Sequence, residues 1–370
     1  MFTFSEEQTL LQEAARGFVQ DRMTTAHARA VRDSQSADGF DRAMWAEMAA
    51  MGWMGVLIPE EHGGSDLGYV GLGVILEEMG KTLAPAPLHS TALIAASALA
   101  MGGGRAQKQA YWPKIAAGEL IAALAVDEGP HHHPDVPQTR AERIGESYRL
   151  SGRKTYVADG HVADLMLVVA DDGEGASLFL VPRESEGVTI TPIATLDSRG
   201  AADISFENVT LELEARLGGH ELVNQVLDRA RIGLAAELMG LAQSAFDQTA
   251  DYLKTRTQFG QLIGSFQGLQ HRAAKMLVDL ELTRSCVMAA LAALDTGAED
   301  KKIAELASLA KARAGETAHI VTNEMIQMHG GIGMTDAHDA GLFIKRARVL
   351  EHLYGGASFH RDRFATLAGI

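Results

Sequence analysis

Hydrophobic periodicity changes twice along this 370-residue chain, and the order of the changes limits the folds that it can adopt. Apolar residues recur at helical spacing up to about residue 118. Short apolar runs separated by Gly, Asp and Pro follow, and helical spacing returns from Leu222 to the end. Helices, then strands, then helices indicate an α+β fold rather than alternating βαβ units.

These segments divide the chain into three predicted domains. We expect an N-terminal helical domain at residues 1–118, a middle β-domain (barrel or sandwich) at 119–215 and a C-terminal four-helix bundle at 216–370. Ser5 is expected to cap the first helix, and Gly80 to end a helix near Met79. The predicted strands are 120–126, 148–151, 164–170, 177–182, 188–192 and 202–206, and the predicted bundle helices are 222–256, 266–296, 300–328 and 337–366.

Charge and composition argue against several classes of function. The formal net charge is −15 and no block of Lys and Arg is long enough to follow a polyanion, so nucleic acid is not an expected partner. No run approaches the ~18 apolar residues of a membrane span. The N-terminus lacks the basic and apolar segments of a secretory signal. We therefore expect a cytoplasmic protein without membrane insertion.

The single cysteine and a run of histidines carry chemistry that needs an assignment. Cys286 excludes an internal disulfide, and its Ala- and Leu-rich surroundings favour a core residue over a nucleophile. His131, His132 and His133 stand in a predicted loop, but consecutive residues cannot all face one ion in regular structure. No metal is expected.

A polar turn interrupts an apolar-periodic stretch at residues 252–276, YLKTRTQFGQLIGSFQGLQHRAAKM. The turn carries Arg256, Gln258, Phe259 and Gly260. A guanidinium suits a pyrophosphate through paired hydrogen bonds, and an aromatic ring can pack on an adenine face. The turn therefore indicates a phosphate-bearing ligand, with a helix-end arginine beside a core phenylalanine as the alternative. No G-x-G-x-x-G follows a strand, so a Rossmann dinucleotide site is not expected.

Two C-terminal segments at a fixed separation, RTQFGQLIGSFQGLQHRAAKM and QMHGGIGMTDAHDAGLFIKRA, resemble the C-terminal domain of acyl-CoA dehydrogenases. GVLIPEEHGG is similar to the N-terminal helical domain of that family, and RLSGRKTYVADGHVADLMLVVA to its middle β-domain. Within the family, the pattern is most similar to the small subunits of pimeloyl-CoA dehydrogenases and to bacterial dehydrogenases acting on CoA esters of cyclic or steroid-derived acids.

The resemblance implies a non-covalently bound flavin adenine dinucleotide (FAD) that reaches a neighbouring subunit. Arg256, Gln258 and Phe259 fall on family positions that contact the adenosine diphosphate part. Residues on positions that approach the same dinucleotide from the adjoining subunit are Gln327, Gly330 and Gly331. Paired glycines let backbone come close to a ligand, although a helix cap and turn is the alternative. The neighbouring His329 is expected to be structural.

The resemblance also places a substrate site and a catalytic base. Asp228 and Arg231 match the family residues near the CoA-bearing substrate, with an ion pair on one helix face as the alternative. The family uses a carboxylate to remove the α-proton of the thioester, at one of two positions. Here these positions hold Gly355 and Ala230, and neither can take a proton. Glu237 is a weak substitute, about 10 Å further along the helix, and a Glu paired to a neighbouring helix is the favoured interpretation.

Other departures from the family pattern lie close to the flavin positions. The residues after the base turn are Gly356, Ala357, Ser358 and Phe359, so a flavin hydrogen bond is expected to be lost. The family loop T-E-P-x-x-G-S-D is replaced by DEGPHHHPD after Val126, and Tyr156 stands where the following strand usually has Trp.

The resulting hypothesis is an FAD-dependent acyl-CoA dehydrogenase that forms the base-lacking partner subunit of a heteromeric enzyme. One alternative is a homotetrameric dehydrogenase with a relocated carboxylate base, and another is a flavin oxidase or monooxygenase of the same fold. Expected partners are an acyl-CoA substrate, an electron-transfer flavoprotein or similar acceptor, and further subunits in a dimer of dimers.

Overall fold

The computed structural model describes residues 4–370, whose backbone divides into two compact units. The first unit contains residues 4–30, 69–84 and 231–370, and the second contains residues 31–68 and 85–230. Both units are therefore built from segments that are distant in sequence. The predicted division at residues 118 and 215 is a different partition of the chain, and it stays a prediction.

The helices and strands follow the predicted order of helices, strands and helices. In chain order, the helices are α1 (Glu6–Arg22), α2 (Thr25–Ser34), α3 (Arg42–Ala50), α4 (Gly68–Thr82), α5 (Ala96–Gly102), α6 (Arg105–Ala116), α7 (His220–Thr255), α8 (Gln267–Asp295), α9 (Asp300–His329), α10 (Ala340–His352) and α11 (Ala357–Ala368). The strands are β1 (Ala122–Ala125), β2 (Arg140–Ile144), β3 (Ser147–Ala158), β4 (Leu165–Asp171), β5 (Ala176–Pro182), β6 (Val188–Ile193), β7 (Ala201–Glu212), β8 (Arg216–Gly218), β9 (Thr257–Gln258) and β10 (Gln261–Leu262).

Helix α1 begins where the sequence predicted. The Ser5 hydroxyl accepts a hydrogen bond from the Gln8 amide at 3.1 Å, and the Gln8 side chain accepts one from the Ser5 amide at 3.0 Å. This reciprocal capping box satisfies two backbone donors that a helix start otherwise leaves without a partner.

The prediction that Gly80 ends a helix is wrong. Helix α4 continues to Thr82, and Gly80 lies where it packs against α7. A Cβ on Gly80 would lie 2.2 Å from the carbonyl oxygen of Glu237, and a Cβ on Gly240 would lie 1.8 Å from that of Glu77. Both glycines are therefore required by the close approach of two helix backbones rather than by a helix end.

Helix α9 is the element of the first unit that packs against α8, α10 and α11. The sequence predicted one last helix at residues 337–366, and the structure has two, so the prediction of four bundle helices needs this correction. The helix is interrupted at residues 353–356, where Tyr354 has φ +56° and Gly355 has φ +107°. This segment, the Gly355 turn, carries one of the two family base positions.

The second unit is built on one sheet with the strand order β6-β7-β3-β2-β4-β5-β8, and β1 pairs parallel with β4. The sequence missed β2 and β8. Strand β2 reads RAERI and buries only Ala141, so it has no alternating apolar pattern, and β8 has three residues. Their pairing is set by neighbouring strands rather than by their own composition.

Apolar side chains of the long strands form the core of the second unit, with Tyr148 edge-on to Phe179 at 5.1 Å between ring centroids. A seven-residue π-helix, His89–Ala95, packs against β1. The Thr91 hydroxyl accepts a hydrogen bond from the Ala122 amide at 3.1 Å, which ties the π-helix to the strand. Such π-helical turns are rare and are frequent near functional sites.

Across residues 4–370, no helix combines the length and the apolar character that crossing a membrane requires.

Candidate functional site

The turn at residues 256–262, here the Arg256 turn, is a two-residue hairpin at the end of α7. Gln258 pairs with Gln261, and Thr257 with Leu262. The two central residues, Phe259 and Gly260, have φ of +55° and +78°, as a hairpin of this length requires. Phenylalanine is an unfavourable residue for this left-handed conformation, so the turn holds Phe259 at a conformational cost.

The functional side chains of the Arg256 turn face outward. Phe259 is 90% exposed, and Arg256 and Gln258 are also exposed. Among residues 4–370, the Arg256 guanidinium has no ion-pair partner. A strained turn that presents an aromatic ring and a guanidinium to solvent is poorly explained by the stability of the chain alone. The alternative of a core phenylalanine is wrong, because the ring is on the surface.

Gln327 and Gly331 are exposed, and α9 ends at His329, after which Gly330 adopts φ +64°. A Cβ added to Gly330 or Gly331 would meet nothing within 4 Å. The glycines are therefore not required by packing within the first unit, and their backbone is open to a ligand.

Stacked aromatic rings connect the Arg256 turn to residues 327–331, here the Gly330 segment. The ring of Tyr252, one helical turn before Arg256, stacks on His329 at 4.3 Å between centroids. The other side of His329 contacts His338 at 4.2 Å. Burial lowers the pKa of His329, and its Nδ1 donates to the Met325 carbonyl at 2.7 Å. The His329 ring thus joins the ends of α7 and α9.

Sequence reasoning missed Tyr252 and His338 as parts of this arrangement. The signal for Tyr252 was its spacing, since a residue four positions before Arg256 lies on the same helix face. His338 gave no local signal, because its contact with His329 depends on the turn that joins α9 to α10.

The base position at residue 355 is enclosed by two cationic side chains. Arg231 is 0% exposed, and its Nε donates to the Tyr354 carbonyl at 3.2 Å. The Lys311 ammonium donates to the carbonyls of Glu351 and Gly355 at 2.9 and 3.0 Å. These hydrogen bonds give the buried donors of Arg231 and Lys311, and the three carbonyls, partners inside the protein.

Lys311 is a fully buried cation that sequence reasoning missed. Burial, and to a smaller extent nearby Arg231, lower its pKa to about 7, and Glu351 acts in the opposite direction. An amine with such a pKa is a possible proton acceptor in general. Here Lys311 is 1% exposed and its nitrogen is bonded to two backbone carbonyls, so the geometry fits a structural role.

The second base position, Ala230, is also buried and lies on α7 between the two residues expected near the substrate. The Nε2 of His89 donates to the Ala230 carbonyl at 2.8 Å, since a carbonyl oxygen only accepts. Asp228 is 3% exposed. Burial of Asp228 and Arg231 distinguishes them from an exposed ion pair on a helix surface, and their role with substrate stays a prediction.

Glu237 forms an ion pair with another helix. One carboxylate oxygen accepts hydrogen bonds from Nε and Nη2 of Arg346, on α10, at 2.9 and 2.8 Å. Glu237 is 7% exposed, so the pair is buried on the carboxylate side. A carboxylate oxygen that is bonded this closely to an arginine is already occupied, which is unfavourable for a base that must reach substrate.

The loop at residues 127–139, here the histidine loop, contains the departure from the family pattern in the second unit. The Nδ1 of His132 lies 2.7 Å from a carboxylate oxygen of Asp127. The Asp127 carbonyl accepts from the Thr155 amide at 2.8 Å, which holds the start of the loop against β3. The middle histidine of the run therefore binds within the loop.

Glu128 is the centre of the hydrogen bonding that closes the histidine loop. Its carboxylate accepts from the amides of Gln138 and Thr139 at 2.6 and 2.8 Å, and from Lys154 at 2.6 Å. Lys154 is 0% exposed and also donates to the Val126 carbonyl at 2.9 Å. Burial raises the pKa of Glu128, but the bonds from Lys154 and Thr139 outweigh it, and the pKa lies below its ordinary value.

Two further residues singled out by the sequence have clear positions. Tyr156 is 37% exposed and adopts φ +50°, with its amide donating to Asp203 at 3.1 Å. Cys286 is half-buried, and burial raises the pKa of its thiol, which is the reverse of what an activated nucleophile needs.

The two regions differ in how well they fit a dinucleotide. The Arg256 turn and the Gly330 segment offer a guanidinium, an amide, an aromatic face and open backbone, which suit an adenosine diphosphate group. The histidine loop offers a phosphate little, because Asp127 and Glu128 are acidic and its cation Lys154 is already bonded. The residues of the first unit fit the dinucleotide, and those of the histidine loop do not.

Sequence profiles of all three acyl-CoA dehydrogenase domains match the chain. The N-terminal domain matches residues 5–119, the middle domain residues 129–209, and the C-terminal domain residues 218–366. Probable acyl-CoA dehydrogenase YngJ of Bacillus subtilis (strain 168) is 30% identical, over 97% of this chain and 97% of its own length.

Solved structures of acyl-CoA dehydrogenases are similar to this chain over nearly its whole length. A variant of the Tcur3481–Tcur3483 steroid ACAD is 33% identical, with a TM-score of 0.91 over 98% of this chain and 98% of that chain. The ChsE4–ChsE5 complex from Mycobacterium tuberculosis contains a chain that is 27% identical, with a TM-score of 0.92 over 100% of this chain and 99% of that chain. The family expected from the two C-terminal motifs is confirmed: this chain belongs to the acyl-CoA dehydrogenases, a family of FAD-dependent flavoproteins.

Proposed function

We propose that this chain is the base-lacking subunit of a heteromeric acyl-CoA dehydrogenase, and that its Arg256 turn completes the flavin site of a partner chain. The observation that carries the proposal is the Gly355 turn. Glycine stands at the base position, and Arg231 and Lys311 donate hydrogen bonds to the carbonyls of Tyr354 and Gly355. The second base position, Ala230, supplies no acid or base either.

The reaction, α,β-desaturation of an acyl-CoA thioester, requires a group that takes the α-proton. Bound FAD would supply the acceptor for the β-hydride. In this chain no carboxylate stands at either family position, and Glu237 is held by Arg346. A partner subunit of the same fold with its own carboxylate would supply the missing proton acceptor.

The residues that would hold the dinucleotide are exposed at the surface of the first unit. Arg256 would pair with the pyrophosphate, Gln258 would donate its amide, and Phe259 would pack on the adenine. Gln327, Gly330 and Gly331 would approach from the adjacent segment, where a Cβ at either glycine would meet nothing within 4 Å. Asp228 and Arg231 would keep the substrate-side positions that the family pattern implies.

The solved structures support an assembly of unlike chains and a bulky acyl group. One is a complex of two named components, and the other is a steroid ACAD. We infer a dimer of dimers in the cytoplasm, with a steroid-derived or cyclic acyl-CoA as substrate and an electron-transfer flavoprotein or similar protein as electron acceptor. The three-domain division at residues 118 and 215 belongs to the same proposal.

The test is purification of the chain alone and together with the product of a neighbouring dehydrogenase gene. We expect little activity from the lone chain, and flavin with turnover in the pair. Stoichiometric flavin and full dehydrogenase activity in the lone chain would disprove the proposal.

Two alternatives are separated by further measurements. A homotetramer that uses Glu237 as base predicts that E237Q abolishes flavin bleaching by substrate, whereas our proposal predicts an unchanged bleaching rate in the folded complex. An oxidase or monooxygenase predicts oxygen consumption that depends on acyl-CoA, whereas a dehydrogenase passes electrons to a protein acceptor.

A further inference from the structure

Phe359 occupies the space beside the missing base, and we propose that it closes this chain's own acyl site. The inference rests on the proposed function and goes one step beyond it. A site that had only lost its base would still bind an acyl-CoA without reacting. A site closed by an aromatic ring would not bind the thioester at all.

The ring stands where a side chain at residue 355 would begin. A Cβ on Gly355 would lie 2.5 Å from Cδ1 and 3.1 Å from Cε1 of Phe359, and 3.0 Å from Nε2 of His360. Real Cβ atoms essentially never approach a heavy atom to less than 3.0 Å. No β-carbon, and so no carboxylate, is compatible with the ring in this position.

The backbone of the Gly355 turn is adapted to this arrangement. Gly355 has φ +107°, a conformation that L-residues rarely adopt, and the preceding Tyr354 has φ +56°. The Gly355 amide donates to the His352 carbonyl at 3.1 Å, so the turn is closed on itself. Glycine is thus required at residue 355 by backbone conformation as well as by space.

Arg231 holds the ring in place. Its guanidinium carbon lies 5.4 Å from the centre of the Phe359 ring, and its Nε donates to the Tyr354 carbonyl. The contact of a guanidinium with an aromatic face is strongest where both are removed from water, and Arg231 is 0% exposed. One side chain therefore fixes both the ring and the turn that it covers.

Lys311 holds the turn at two further points. Its bonds to the carbonyls of Glu351 and Gly355 fix the end of α10 and the residue that faces the ring. A turn that is bound by the buried side chains of Arg231 and Lys311 has little freedom to move the ring aside. The closed arrangement is therefore a built feature of the first unit rather than one rotamer of a loose side chain.

The family places the base against the α-carbon of the thioester, so a ring at the base position excludes that carbon. The complex is then expected to bind acyl-CoA only at the partner's site. Replacing Phe359 with alanine would remove the ring and open a second site, without supplying a base.

The experiment is calorimetric titration of the co-purified complex with an alkyl-CoA thioether, which cannot be desaturated. Wild type is expected to bind one thioether per pair of unlike chains, and F359A two. The matched control is F364A, which removes a half-buried phenylalanine from the same helix away from Gly355 and is expected to keep one. F359V, which keeps a β-branched apolar side chain but no δ or ε atoms, provides a second opened variant if F359A melts early.

Two thioethers per pair in wild type would overturn the inference, as would one per pair in folded F359A and F359V. Either outcome leaves the proposed function standing if activity still depends on the partner chain. Full activity in the lone chain removes the proposed function itself, so the two failures are distinguishable.

Discussion

The family pattern predicts that the Arg256 turn and the histidine loop both lie near a flavin, and the two are built in opposite ways. The Arg256 turn leaves a guanidinium and a 90% exposed aromatic ring in solvent. The histidine loop pairs His132 with Asp127, and Glu128 with the fully buried Lys154. One region leaves its polar groups exposed to solvent, and the other binds them within the chain.

This difference is what the proposed division of the flavin site between chains would require. A positive φ at Phe259 and the exposure of its ring are unfavourable in the chain alone and are better explained if another molecule contacts the turn. Polar groups closed by their own ion pairs contribute to the stability of their unit and leave little to offer a ligand. We expect substitutions in the first region to change flavin content, and substitutions in the second to change stability.

The largest expected effect is on stability, in the closed region. K154M removes the charged partner of Glu128 and leaves its largely buried carboxylate with only the amides of Gln138 and Thr139, and breaking a buried pair in this way costs about 3–5 kcal/mol. The measurement is the free energy of unfolding in denaturant. The control is the adjacent R153A, whose pair with Asp203 at 2.5 Å is exposed on the arginine side, and its expected cost is about 0–1 kcal/mol. Equal effects of K154M and R153A would show that the loop is not closed by its buried pair.

The next effect is on flavin, in the open region. R256A is expected to reduce flavin affinity of the complex roughly 10- to 100-fold, because hydrogen bonds to charged groups contribute about 1.5–3 kcal/mol. Flavin per chain after gel filtration is the measurement, with melting temperature unchanged. The control is K254A, which removes an exposed lysine that pairs with Asp251 at 3.1 Å. Wild-type flavin content in R256A would contradict the role of the turn.

Most of the architecture could be predicted from the sequence because helices carry their own periodic signal. The capping box at Ser5, the strands β4 and β5 and the long helices α7 to α9 follow from local pattern. The helix break before Gly355 was missed because Tyr354, a non-glycine residue, adopts a positive φ inside an apolar-periodic run. The Gly355–Gly356 pair was the available signal.

The candidate site was predictable only where its residues are adjacent in sequence. Arg256, Gln258 and Phe259 share one turn, so their motif identifies them together. Glu128 and Lys154 meet through strand register, and Arg231 meets Tyr354 across 123 residues. Contacts of this kind depend on tertiary packing, for which a single sequence without alignment carries no local pattern.

A smaller effect is the pH dependence of the closed loop. The folded-state pKa of Glu128 lies below its ordinary value of 4.5, so ionised Glu128 stabilises the fold above that pH. This stabilisation is lost as pH falls through the lowered pKa. The difference in unfolding free energy between wild type and E128Q is expected to be constant from pH 6 to 8 and to shrink as the pH falls below the ordinary value of 4.5. A difference that stays constant down to pH 3 would show that Glu128 is not held ionised by Lys154.

The smallest expected effect separates strain from binding within the Arg256 turn. Phe259 adopts φ +55°, a conformation that asparagine tolerates better, so F259N is expected to stabilise the isolated chain by about 0.5–1 kcal/mol. The same variant loses the aromatic face and is expected to lower the flavin content of the complex. F259L is the matched variant, since it keeps the strain and removes the ring, and we expect lower flavin without a gain in stability. If F259N raises stability and keeps full flavin, the ring is not an adenine contact, and the exposure of Phe259 needs another partner, most directly the surface of the adjacent chain.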